Sequence, residues 1–180
     1  AGSGLQGHVQ EGTLTVQPVA AIEKTLAEGR VSARRAIDGT TEGTGSYTSR
    51  VTSIASKTDQ SFREIPQSVS VITRQQLDDR RMTDIRDALA ATPGITTSQI
   101  NFDSTYFYSR GFQIDSMQID GGAPLNIAQY TYSVNQSMDF YDRVEVMRGA
   151  SGLLGGVGDP GGIINIVRKK PLAEPRFVVQ

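Results

Sequence analysis

Apolar and polar positions along this 180-residue chain change period several times, and each change marks an element. Leu14 and Val16 alternate with Thr13, Thr15 and Gln17, which predicts a short strand between Gly12 and Pro18. Nothing in the pattern pairs with that strand, so residues 1–20 read as the remnant of a module. Residues 21–28 carry helical spacing that stops at Gly29. From Arg30 to Gln60 no period is sustained, and Gly, Ser and Thr dominate, as in DGTTEGTGSYTSR. So little apolar surface cannot offset the entropy of ordering, and residues 21–60 are expected to form a flexible linker.

A compact α+β domain is predicted over residues 61–172, built as a small mixed β-sheet with two or three short helices. Val69, Val71 and Ile72 form a strand, and Thr73 caps a helix with Gln76 completing a capping box. A second helix runs over about residues 83–91, with Ile85, Ala88 and Leu89 on one face, and Pro93-Gly94 ends it. Residues 95–97 suggest a short strand and 101–105 a turn. The aromatic run YFYSRGF (106–112) has β preference, and about two of its rings belong in a core. Met117 and Ile119 alternate with polar neighbours before the turn Asp120-Gly121-Gly122. A long polar loop follows over 123–137, then one helical turn at 139–142. Val144 and Val146 face one side of the next strand, with Arg143 and Glu145 on the other. Ile163, Ile164, Ile166 and Val167 predict a strand buried on both faces. Residues 176–180 resemble the opening of a further strand.

The two last domain strands bracket a crossing in which half the residues from Gly149 to Gly162 are glycine. Glycine at this density serves backbone conformations that a side chain blocks. GASGLLG has the span of a phosphate loop, but the Lys-Ser/Thr after the second glycine is missing. The crossing is therefore expected to be a packing device.

Composition narrows the chemistry further. The chain has no cysteine and a single histidine, His8, so neither a thiolate metal site nor a Ser-His-Asp triad is available. Asp78-Asp79 and Asp84/Asp87 sit on amphipathic helices, where a solvated face is the ordinary role. No enzyme, metal site or cofactor is expected. A net charge of −1 gives no argument for nucleic acid.

Four blocks carry a resemblance: REIPQSVSVITRQQL (63–77), DALAATPGI (87–95), YSRGFQIDSMQIDGGAP (108–124) and YDRVEVMRGASGLLGGVGDPGGIINIVRKKP (141–171). In order and content they resemble the plug domain of TonB-dependent outer-membrane ferric-siderophore receptors. YSRGFQID looks most like receptors for hydroxamate siderophores such as coprogen, and GSYTSR like pyoverdine-type receptors. The resemblance implies a plug that fills a β-barrel in the bacterial outer membrane, with its N-terminus in the periplasm. Residues 1–20 then look like the end of an N-terminal signalling module, and 173–180 like the first barrel strand.

The resemblance also implies three working surfaces. A TonB box, captured by the periplasmic domain of TonB through strand addition, is assigned to Glu28, Gly29, Arg30, Val31, Ser32 and Ala33, with residues 13–19 as runner-up. The Fe(III)-siderophore chelate is expected at Phe102, Tyr106, Asn126, Gln129, Tyr130 and Tyr132, the protein itself ligating no iron. Arg110 and Arg148 are expected to face glutamates of the chain's own C-terminal barrel. A periplasmic anti-sigma regulator is a further partner if the signalling module is functional. The alternative is a plug for another TonB-dependent ligand: haem, cobalamin or a sugar.

Overall fold

A computed structural model gives the architecture, describing residues 5–10, 13–18, 38–56, 58–101, 104–127, 136–150 and 160–171. The chain divides into two units, Ala1–Arg35 and Ala36–Gln180. In the first, β1 (Leu5–Gln10) and β2 (Thr13–Pro18) form an antiparallel hairpin with Gln10 opposite Thr13. The strand predicted over 13–17 therefore has a partner that the polar sequence LQGHVQ did not advertise.

The second unit opens with residues 38–56, which lead through β3 (Val51–Thr52) to β4 (Gln60–Ser61), its antiparallel partner. Then come β5 (Ser68–Ile72), α1 (Arg74–Asp79) and α2 (Ile85–Ala90). Three strands follow, β6 (Ile95–Asn101), β7 (Ser104–Ser109) and β8 (Phe112–Gln113), forming one antiparallel sheet. The chain finishes with β9 (Ser116–Ile119), β10 (Leu125–Asn126), β11 (Tyr141–Arg148) and β12 (Gly162–Arg168).

The main sheet has the order β10-β9-β12-β11-β5. All its pairs are antiparallel except β12 with β9, so it is mixed, as the sequence predicts. Its two faces differ in chemistry. Val144, Val146, Ile164 and Ile166 pack with Leu77, Ile85, Ala88 and Leu89 of the helices in the larger apolar core. The opposite face presents Met147 and Ile163 beside the charged Arg143 and Glu145 and the polar Asn165, all buried. Residues 38–56 cover this second face.

That cover is a correction. The flexible linker expected through Gln60 is, over 38–56, folded and tied to β11 by hydrogen bonds from Thr41, Glu42 and Ser53. Its Gly/Ser/Thr composition supplies backbone and hydroxyl donors to buried acceptors, which hydropathy does not score. The part at 21–37 lies outside the described residues, as do 172–180.

Local signals were otherwise read well. Thr73 caps α1 in a capping box with Gln76, each side chain reaching the other's backbone N–H. Asp84 caps α2, its side chain accepting from the Arg86 N–H. The aromatic run is broken where the sequence reading kept it whole. Arg110 and Gly111 have φ of 53° and 86° and form the tight link between Ser109 and its partner Phe112. Positive φ at both central residues is the primed hairpin turn, usually built from Asn-Gly, and Arg hides that signal. Only Phe107 of these aromatics reaches the core, while Phe112 is exposed.

Candidate functional site

Arg148 ends β11, where the register sets it opposite Ser68 of β5 and Gly162 of β12. Its Nη2 donates to Ser68 Oγ at 2.8 Å, its Nε to the same oxygen at 3.2 Å, and its Nη1 to the Pro93 carbonyl. Gly94, at a φ of 78°, packs beside the Arg148 side chain, where a Cβ would lie 3.4 Å from Cδ. Arg110, on its tight turn, brings Nη1 to 3.3 Å from where a Cβ on Gly149 would be. Arg110 thus lies close enough for its charge to act on Arg148 beside the glycine crossing. Burial lowers the Arg148 pKa, and the neighbouring Arg110 charge lowers it further. Among the described residues no carboxylate pairs with either arginine.

The crossing that follows is held by close backbone approach. Gly149 N–H donates to the Gly161 carbonyl at 3.3 Å. Gly162 has φ of 123°, and a Cβ on it would overlap the Met147 carbonyl oxygen. Residues 151–159 lie outside the described set, so the expected tight loop is seen only at its two feet.

Of the expected chelate residues, Tyr106 and Asn126 fall among the described residues. Tyr106 is half-buried on β7, in the three-stranded sheet, and Asn126 is exposed on β10, at the edge of the main sheet. Phe102, Gln129, Tyr130 and Tyr132 lie outside the described residues. So do all the TonB-box residues, Glu28, Gly29, Arg30, Val31, Ser32 and Ala33. The runner-up box coincides with β2, already paired in its hairpin.

The structure instead shows a buried polar cluster that sequence reasoning missed. Asp142 accepts backbone N–H bonds from Thr41 at 3.0 Å and Glu42 at 2.6 Å, and its carbonyl accepts the Thr41 hydroxyl. Glu145, fully buried, accepts from Ser53 N–H, Ser53 Oγ and Asn165 Nδ2. Arg143 lies between them, 2.7 Å from Glu145, 3.2 Å from Asp142 and 3.4 Å from Asp59. Burial opposes the charge on Arg143, but the carboxylates of Glu145 and Asp142 outweigh it and raise its pKa. Arg74 adds a second anchor: its N–H donates to Thr41 Oγ1, and its guanidinium to the Met138 and Tyr141 carbonyls. One signal for this cluster stood in the sequence, an Asn at 165 inside a strand read as buried on both faces. A buried amide needs partners.

No metal-binding group of three or more His, Asp or Glu side chains occurs among the described residues. Residues 61–163 match the family described as TonB-dependent Receptor Plug Domain. The chain belongs to this family. It is 40% identical, over 99% of its length, to the ferric-pyoverdine 358 receptor of Pseudomonas putida. The ferripyoverdine receptor of Pseudomonas aeruginosa, solved with ferripyoverdine bound, matches 96% of this chain with a TM-score of 0.69 and 35% identity. The alcaligin outer-membrane receptor FauA of Bordetella pertussis matches 77% with a TM-score of 0.68 and 45% identity. The chain spans only 22%, 21% and 24% of these proteins, respectively.

Proposed function

We propose that this chain is the gate of an outer-membrane receptor that binds a ferric siderophore outside and imports it with energy transmitted by TonB. The observation that carries the reading is plug-family membership joined to relatives named as ferric-pyoverdine receptors along almost the whole chain. The geometry adds support. Arg110 and Arg148 converge without a described carboxylate partner, and a surrounding barrel wall bearing glutamates would neutralise them.

In this reading the ligand is an Fe(III)-pyoverdine-type chelate, held by Tyr106, Asn126, Phe102, Gln129, Tyr130 and Tyr132 together with barrel residues. TonB takes residues 28–33 as an added strand, a mode that relies on main-chain hydrogen bonds and tolerates the unusual Arg30. The β1–β2 hairpin belongs to a signalling module that reports occupancy to a periplasmic anti-sigma regulator. Nothing in this role is enzymatic: the chain supplies a seal, a docking surface and a handle.

The test is binding of the TonB periplasmic domain to the complete receptor, with and without residues 28–33. Loss of binding on deletion is expected. Undiminished binding would reject the box assignment and move it to another segment.

A further inference from the structure

Arg148 and Ser68 face each other where β11 ends and β5 begins. Residues paired in this way lie about 5 Å apart at Cβ, so a long side chain beside a short one either leaves the sheet or folds across its neighbour. Arg148 folds across. Its side chain runs over Ser68 to the link between α2 and β6, where Nη1 donates to the Pro93 carbonyl. β5 is an edge of the main sheet, so no further strand stands in the way.

The donors of the guanidinium can be accounted for singly. An arginine has one N–H on Nε and two on each terminal nitrogen. Ser68 Oγ accepts from Nε at 3.2 Å and from Nη2 at 2.8 Å, so the serine takes the side edge of the group. The Pro93 carbonyl takes a donor of Nη1. One N–H is left on each terminal nitrogen, the pair that a carboxylate accepts in a two-point contact. Among the described residues no carboxylate forms an ion pair with Arg148. A second cation, Arg110, is close enough to act on it. Repulsion from Arg110 drives the guanidinium away, and the two acceptors oppose that. A hydroxyl and a carbonyl hold the group without neutralising it, so its charge stays available.

We infer that Ser68 is a positioning residue for Arg148: with the Pro93 carbonyl, it holds the guanidinium so that its remaining donors receive one carboxylate of the barrel wall. This rests on the transport reading above. Alanine at 68 keeps the strand and drops the acceptor, whereas threonine keeps the acceptor and suits a strand.

Uptake is measured in cells making the complete receptor, over a range of ferric-pyoverdine concentrations. Rates are taken per receptor, counted by ferric-pyoverdine binding in cells lacking TonB. Ser68→Ala should lower the maximal rate about tenfold, the effect of losing one acceptor for a charged donor, while half-saturation and surface binding stay within about twofold. Ser68→Thr should restore the rate. In an Arg148→Ala receptor, adding Ser68→Ala should cost nothing more, because the serine acts only through the arginine. Undiminished uptake by Ser68→Ala, no rescue by threonine, or a further loss on the Arg148→Ala background would overturn the inference. An unaltered receptor that takes up no ferric pyoverdine would instead refute the transport reading.

A second arm needs neither uptake nor substitution. In a crystal structure of the complete receptor, Arg148 Nε should remain within hydrogen-bond distance of Ser68 Oγ, with both terminal nitrogens on one barrel carboxylate. A guanidinium turned away from Ser68, or terminal nitrogens with no carboxylate, would also overturn the inference.

Discussion

Glu145 carries a fully buried carboxylate whose partners come from three segments: Arg143 on its own strand, Asn165 on β12 and Ser53 in the segment 38–56. Truncating it leaves Arg143 with Asp142 and the more distant Asp59. Glu145→Ala is therefore expected to destabilise the second unit by about 3 kcal/mol, read as a lower denaturant midpoint. Gly162 works by close approach: Gly162→Ala combines a positive φ with overlap on the Met147 carbonyl, and should cost about 2 kcal/mol or more in the same assay. At the surface of residues 38–56, the Tyr47 hydroxyl donates to Asp79 at 2.5 Å and holds the Asp79 carboxyl below its usual range. The contact's stabilisation is present above the unfolded carboxylate pKa and fades as pH falls through the lowered value. Tyr47→Phe should return Asp79 toward its ordinary titration, as followed by NMR of the carboxyl carbon.

At the scale of elements, what was legible was local. The capping box at Thr73 and Gln76, the apolar face of Ile85, Ala88 and Leu89, and the isoleucine-rich strand at 163–166 all follow short-range rules, and all are present. What escaped was chemistry that depends on a distant partner. Residues 38–56 show no periodicity because their donors find acceptors far away in sequence, 101 residues for Thr41 to Asp142 and 92 for Ser53 to Glu145. The Arg110-Gly111 turn escaped for another reason, since arginine is an unusual choice at positive φ. Arg110→Asn should therefore stabilise the β7–β8 hairpin by about 0.5–1 kcal/mol. The same change removes the charge proposed to meet the barrel wall, and should therefore reduce uptake by the complete receptor. A thermal shift and an uptake rate on one variant separate the two effects.

For the whole molecule, the second unit is a sheet sealed differently on its two sides. One side is an apolar core closed by α1 and α2, and the other is an ionic layer closed by residues 38–56. The expected chelate and TonB-box positions fall largely on segments whose patterns carry no period, so their roles rest on resemblance. Uptake of iron-55 as ferric pyoverdine is measured in cells making the complete receptor, with and without TonB. Ferric-pyoverdine binding is expected in both, and iron accumulation only with TonB. Equal accumulation without TonB, or no binding of a ferric siderophore, would contradict it.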